Sequence, residues 1–262
     1  MLKLLDLFSG IGGFSLGMEA TKQIKTIGFV EKDKFCQKVL RKNFKNVPIE
    51  EDIRNVRGER YSADIISGGF PCQPFSVAGK RKGTEDDRYL WDEMLRVITE
   101  VKPRWVVGEN VQGIINIDNG LVLRQVQTDL EAQGFQVQCF LIPASGIGAW
   151  HKRNRVWIIA ANSKSKRLLW ISQSKSSFNE QHRLDNDKKR NRSEIRSKPS
   201  RCSEQDSWWE RQIKSKLCGV PNGVCTEFHK DRANRIKALG NSIVPQIAYE
   251  IGQAILEAEY ES

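Results

Sequence analysis

The chain has 262 residues, 39% of them hydrophobic and 28% charged, with a formal net charge of +10. No uninterrupted apolar run reaches the roughly 18 residues of a membrane-spanning helix, and the regularly spaced apolar segments of its first part exclude a wholly disordered chain. A chain this basic points to a polyanionic partner, most simply nucleic acid, with a solvated basic surface as the plain alternative.

Taken in chain order, residues 2–8 read as a strand and, after a glycine-rich turn, 14–22 as a helix. Residues 26–30 form a second strand, and 33–43 a helix with Phe35, Val39 and Leu40 on one face. Residues 63–67 are a third apolar run. Residues 89–100 are helical in pattern, with Leu90, Met94, Leu95 and Ile98 at helical spacing. A strand core at 105–107, a helix at 121–133 and strands at 138–142 and 155–161 follow. This alternation predicts an α/β fold, a mainly parallel sheet with helices on both faces.

The composition changes at Asn162. From there to Cys218 stand 8 Lys and 7 Arg against 7 acidic residues, among many Ser, Asn and Gln. Apolar anchors are confined to Leu168-Leu169-Trp170-Ile171 and Trp208-Trp209. The composition fits a disordered linker, or a small polar module that meets phosphates and base edges. Order then returns: Leu239-Gly240-Asn241-Ser242 precedes a helix expected from about Ile243 to Tyr260. Pro245 suits its first turn, and Ala248, Ile251, Gly252, Ile255 and Leu256 form its apolar face. A polar insert between two ordered pieces predicts that this helix packs back onto the first domain.

The 6 Cys (Cys36, Cys72, Cys139, Cys202, Cys218 and Cys225) form no C-x-x-C pair, and there are only 3 His. No metal site is expected. Residues 1–6 lack the long apolar stretch of a signal peptide, so a reducing cytoplasm with free thiols is the expectation.

Four constellations carry chemistry. Asp6-Leu7-Phe8-Ser9-Gly10-Ile11-Gly12-Gly13-Phe14 runs from strand through turn to helix. Glycines there let backbone N–H groups approach a ligand, and the helix N-terminus favours negative charge. The next strand ends in Glu31 and the third near Asp52. An acid about 20 residues past such a turn suits ribose hydroxyls, where the plain alternative is a loop carboxylate. Next, Gly68-Gly69-Phe70-Pro71-Cys72-Gln73-Pro74-Phe75-Ser76 holds a Cys between prolines at a strand end, which fits a nucleophile better than a core residue. Then Glu109-Asn110-Val111 brings a carboxylate to the same sheet edge, as a simple cap or as an acid beside the thiol. Last, Trp150-His151-Lys152-Arg153-Asn154-Arg155 places two guanidinium groups on one face of an extended segment, against the alternative of a solvated basic turn.

In this order, Asp-Leu-Phe-Ser-Gly-Ile-Gly-Gly, Gly-Phe-Pro-Cys-Gln-Pro-Phe-Ser, Glu-Asn-Val, Lys-Arg-Asn-Arg and Gly-Asn-Ser resemble the motifs of the bacterial and phage DNA (cytosine-5)-methyltransferases. The resemblance covers residues 3–161 and 230–258. It implies a Rossmann-like S-adenosyl-methionine-dependent methyltransferase sheet with a small target-recognition region. It also implies that Cys72 adds to carbon 6 of cytosine, turning the ring into an enamine that accepts a methyl group at carbon 5. Glu109 would hold N3 and favour its protonation, Arg153 would orient the base, and Arg155 would brace the site. The methyl donor would be S-adenosyl-L-methionine, and the partner double-stranded DNA with its target cytosine flipped out.

The resemblance carries the cofactor contacts onto Phe8, Gly10 and Gly13 of the first motif and onto Glu31 as the ribose acid. Asp52 and Ile53 match the adenine-edge pair, Leu90 an apolar adenosine contact, and Asn241 and Ser242 the final motif at the methionine end. Pro71, ahead of the thiol, joins this set. The implied division is 1–161 for catalysis and cofactor binding, 162–224 for target recognition, and 225–262 for a segment and helix that return to the catalytic domain. A monomer with neither membrane nor metal is expected. Two departures stand out: the turn before Arg153 reads Trp150-His151 where the family usually has Pro-Gln, and the motif that organises the recognition region is not recognisable. A transfer RNA cytosine as substrate and a catalytically inactive DNA-binding relative are the alternatives. The presence of Cys72, Glu109 and Arg153 together speaks against the second.

Overall fold

Seven short segments, mostly apolar, assemble as one sheet because each is too apolar to stay in water and too short to bury itself alone. The computed structural model describes residues 1–71, 90–147, 149, 153–162 and 232–260. Its strands are β1 (Leu2–Leu7), β2 (Ile24–Val30), β3 (Ile49–Glu50), β4 (Ile65–Gly68), β5 (Trp105–Val111), β6 (Phe135–Pro143) and β7 (Asn154–Asn162). The α-helices among the described residues are α1 (Gly13–Glu19), α2 (Lys34–Asn43), α3 (Trp91–Val101), α4 (Leu121–Ala132), α5 (Arg232–Asn241) and α6 (Pro245–Tyr260).

The sheet order is β3-β2-β1-β4-β5-β7-β6. β3, β2, β1, β4 and β5 pair parallel, while β7 pairs antiparallel with both β5 and β6. The chain winds outward from β1 in both directions. Right-handed crossovers then put the helices before β3 and those after β4 on opposite faces. Leu4, Leu5, Leu7, Ile65, Ile66, Val106 and Val107 are fully buried, the near-continuous apolar run of strands covered on both sides. The order reverses between β1 and β4, and the carboxyl ends of the strands at such a reversal form the ligand crevice of this architecture.

The mainly parallel sheet agrees with expectation, and two details correct it. Helix α1 stops at Glu19 rather than Lys22: Lys22 adopts a left-handed φ of 63°, and the Thr21 hydroxyl donates to Met18 O. The C-terminal helix, expected from about Ile243, starts at Pro245, and Leu239–Asn241 ahead of it form the last turn of α5. The two-residue strand β3 stands just before Asp52, where the end of a third strand is expected.

Met1–Arg167 together with Thr226–Ser262 form one compact unit. The other, Leu168–Cys225, lies outside the described residues, and so does the expected recognition region apart from Asn162. Helix α6 returns onto α1, burying Ala248, Ile251, Gly252, Ile255 and Leu256 as its periodicity predicts. At its far end Glu259 pairs with Arg104 and accepts a 2.8 Å hydrogen bond from Trp105 Nε1. The two helices approach so closely at Gly17 that a Cβ there would lie 2.2 Å from Pro245 O and 2.7 Å from Ala248 Cβ. Gly17→Ala is therefore expected to cost about 1–3 kcal/mol and to lower Tm by roughly 3–10 °C in calorimetry. An unchanged Tm would contradict this packing. No helix among the described residues is long and apolar enough to cross a membrane.

Candidate active site

The glycine turn after β1 is shaped by backbone conformations that most side chains resist. Phe8 and Gly10 have φ of 52° and 56°, and Gly12 caps α1 at 85°. A Cβ on Gly12 would strike Phe44 and Leu40, whereas one on Gly10 would meet nothing within 4 Å. Gly10 thus borders open space at the carboxyl end of β1. Beneath the turn, Asp6 is wholly buried. Its carboxylate accepts from Ser67 Oγ at 2.7 Å and Ser15 Oγ at 2.9 Å, joining β1 to β4 and to α1. Burial pushes its pKa up to about 7, against the pull of the two hydroxyls.

Glu31, directly after β2, turns its carboxylate to the same turn. Its Oε2 accepts from Gly10 N at 2.6 Å and its Oε1 from Asp33 N at 2.7 Å. Burial raises its pKa, and those two N–H groups counter the shift. A carboxylate fixed in this way beside an open turn keeps lone pairs for a diol. Asp52 follows β3 and caps a 3-10 turn, Ile53–Asn55, by accepting from Arg54 N at 3.0 Å and Arg54 Nε at 3.1 Å. Against a burial effect that raises it, these bonds hold its pKa below the usual value. Ile53 is buried in the same apolar core as Leu7 and Val30, and Leu90 caps α3 against that core. The chain's residues thus fit a nucleoside cofactor: open space at Gly10, an oriented acid one strand away, and a capped turn one strand further.

Glu109 lies near the end of β5, only 7% exposed. Its Oε1 is 2.8 Å from Arg155 Nε on the antiparallel neighbour β7. Burial raises its pKa, opposed by Arg155 and Arg153. A Cβ on Gly69 would stand 3.3 Å from Glu109 Oε2, so the carboxylate rests against the backbone that leads to Pro71 and Cys72. Asn110 Nδ2 donates to Phe70 O at 2.8 Å, and the Phe70 ring packs on Trp91 with centroids 4.9 Å apart. Together these contacts anchor Phe70, two residues before Cys72; Cys72 itself lies outside the described residues, as do Trp150, His151 and Lys152.

The two arginines make different contacts. Arg155, expected to brace the site, is the one ion-paired with Glu109. Arg153, expected to orient the base, donates through Nη2 to Gly240 O at 2.8 Å and Ser242 O at 2.6 Å. Burial, and after it Arg155, lowers its pKa. Arg153 thereby ties the start of β7 to the Gly-Asn-Ser segment. Ser242 and Ile243 lie against Gly13, where a Cβ would come within 3.1 Å of Ser242 Oγ and 2.8 Å of Ile243 Cγ1. The first motif therefore meets Ser242 of the last. Two contributors were not anticipated. One is the Ser15–Asp6–Ser67 linkage, whose only signal is a lone Ser closing the strand Ile65-Ile66-Ser67. The other is Arg96 on α3, flagged by Glu93 and Glu100 at ion-pair spacing on the same helix.

Comparison with known proteins agrees with this geometry. The model of the family described as C-5 cytosine-specific DNA methylase matches residues 2–217. The Type II methyltransferase M.Bsp6I of Bacillus sp. (strain RFL6) is 37% identical over 163 residues, 61% of this chain and 52% of that protein. The Type II methyltransferase M.HhaI of Haemophilus parahaemolyticus is 36% identical over 160 residues, 60% of this chain and 48% of its own. The chain spans about half the length of these curated relatives. The crystal structure of the S. pombe Dnmt2 methyltransferase shares the fold, with a TM-score of 0.65 at 17% identity over 99% of this chain and 100% of that one. With the family model spanning most of its length, and with the strand-end residues arranged as described, the chain belongs to the C-5 cytosine-specific DNA methylase family.

Proposed function

We propose that the chain methylates carbon 5 of a cytosine flipped out of double-stranded DNA, using S-adenosyl-L-methionine and a covalent bond from Cys72. The observation that carries this reading is the buried Glu109–Arg155 pair set against Gly69, next to the anchored Phe70. A carboxyl group kept from easy ionisation, beside the approach to a thiol, suits a base that must be protonated as it is attacked.

S-adenosyl-L-methionine would supply an electrophilic methyl group on a sulfonium. Glu31 would hold its ribose, Asp52 and Ile53 its adenine edge, and Phe8, Gly10, Gly13, Pro71, Leu90, Asn241 and Ser242 would line the rest. The Cys72 thiolate forms a bond to carbon 6, and the ring's electron pair moves towards N3 and carbon 5. Glu109 shares its proton with N3, so that charge does not build up on the ring. Arg155, paired with Glu109, fixes that carboxyl beside the base, and Arg153 holds the Gly240–Ser242 segment in place. The enamine carbon 5 would take the methyl group, leaving the donor sulfonium as a neutral thioether; loss of the carbon 5 proton to a base, return of the N3 proton to Glu109 and cleavage of the sulfur–carbon 6 bond would then restore the aromatic ring and the thiolate. Base edges would be read by residues 162–224, whose excess of Lys and Arg suits phosphates.

The test is transfer of labelled methyl to duplex DNA and, separately, to transfer RNA. Label at carbon 5 of cytosine in duplex DNA is the expected result. Label in RNA alone would overturn the choice of substrate, and label in neither would overturn the reading. Exchanging residues 162–224 for the segment of a relative is expected to move the methylated sequence, checked by mapping 5-methylcytosine in plasmid DNA. An unchanged site would place base readout elsewhere.

A further inference from the structure

Arg96 projects from the middle of α3 across to the segment that follows β3. Its Nη2 donates to Ile53 O at 2.8 Å and its Nη1 to Val56 O at 2.9 Å. These are the first carbonyl of the 3-10 turn Ile53–Asn55 and that of the residue closing it. Ile53 O also accepts from Val56 N at 3.1 Å within the turn. The guanidinium is held from its own helix by Glu93 at 2.9 Å and Glu100 at 2.7 Å. Glu100 extends the same grip, accepting from Gly58 N at 2.6 Å. Its carboxyl is held below the usual range by Arg96 first and by Gly58 second, so it stays ionised at neutral pH. Gly58 has no room for a side chain, since a Cβ would lie 2.7 Å from Glu100 Cβ.

This arrangement is more than an ordinary surface ion pair. A planar fork with several fixed donors reaches two main-chain carbonyls at once, which an ammonium on a flexible stem does not reproduce. The carbonyls belong to the turn capped by Asp52 and begun by Ile53. The helix that supplies the fork also begins at Leu90. All three residues are assigned above to the adenosine end of the pocket, and they lie on two chain segments joined here through α3.

We infer that Arg96 is a positioning residue for cofactor binding, clamping the Ile53–Val56 turn so that Asp52 and Ile53 present a fixed edge to the adenine. The inference rests on the cofactor reading proposed above. Arg96 touches neither the reacting base nor Glu109, so its removal acts on cofactor affinity before it acts on the chemical step.

The test is calorimetric binding of S-adenosyl-L-homocysteine to the full chain and to Arg96→Met and Arg96→Lys, alongside steady-state kinetics. Two lost hydrogen bonds to an ordered turn predict about tenfold weaker binding for R96M. R96K, able to meet one carbonyl, is expected to lose about threefold. KM for S-adenosyl-L-methionine rises in step, while kcat at saturating cofactor falls much less. Should R96M fail to fold, Glu100→Gln, which loosens the Gly58 contact, is expected to show a loss similar to R96K. Unchanged affinity in a folded R96M, or a fall in kcat with affinity intact, overturns the inference alone. A wild-type chain that binds no S-adenosyl-L-homocysteine overturns it together with the cofactor reading.

Discussion

Cys72→Ser is expected to abolish methyl transfer, by roughly 10⁴-fold or more, while S-adenosyl-L-homocysteine still binds. The reason is the difference between sulfur and oxygen. A free thiol ionises near pH ~8.5, and its thiolate is strongly nucleophilic; a serine hydroxyl gives almost no alkoxide at neutral pH. Carbon 6 of an unactivated cytosine would meet no adequate nucleophile in the variant. Binding survives because Glu31, Asp52 and Ile53 follow β2 and β3, on the other side of β1 from the strand that leads to Cys72. Labelled methyl transfer and calorimetry on the same preparation separate the two effects. Near-normal turnover would overturn the covalent step, and a parallel loss of binding would mean that the whole pocket had been disturbed.

Glu109→Gln is expected to lower kcat by about 10²–10⁴-fold, the range for losing a positioned acid, with little change in cofactor affinity. The amide keeps the shape of the carboxyl and can still donate to N3, but it cannot give up a proton. It also leaves Arg155 without the carboxylate that stands 2.8 Å from its Nε. The pH dependence of stability supplies a second reading. Burial holds the Glu109 carboxyl above its ordinary value of 4.5 in the folded chain. As pH rises, the unfolded chain releases this proton first, so folded stability falls from about pH 4.5 up to the raised value. Glu109→Gln has no proton to release and lacks that fall. Comparing Tm for the two proteins across this window checks the sign, and identical curves would contradict the burial of the acid.

The parts legible in the sequence were those that local pattern determines. The alternation of apolar runs and amphipathic segments gave the parallel core, and the glycines gave the turn in which Gly10 and Gly12 adopt positive φ. Glu31, Asp52 and Glu109 could be placed at one sheet edge because each follows or closes a strand. What was not legible depends on pairing between distant segments. Nothing local says that β7 inserts antiparallel between β5 and β6, yet that insertion brings Arg155 to Glu109. The different contacts of Arg155 and Arg153 follow from it, because Arg153 at the strand's start is left facing Gly240 and Ser242. Helix α5 escaped notice because residues 232–241 are basic and weakly periodic. The grip of Arg96 on Ile53 and Val56 joins residues about 40 positions apart, and only its ion-pair spacing within α3 hinted that the side chain was held.

The covalent step can be read directly with a duplex carrying 5-fluorocytosine at the methylated position, incubated with the full chain and S-adenosyl-L-methionine. Fluorine at carbon 5 does not leave as a proton does, so the ring stays bonded to the sulfur that attacked it. Denaturing electrophoresis followed by peptide mass spectrometry is expected to show one protein–DNA adduct, on the peptide that contains Cys72. Methylation of the ordinary duplex with no adduct on the fluorinated one, or an adduct on any other residue, would contradict the account.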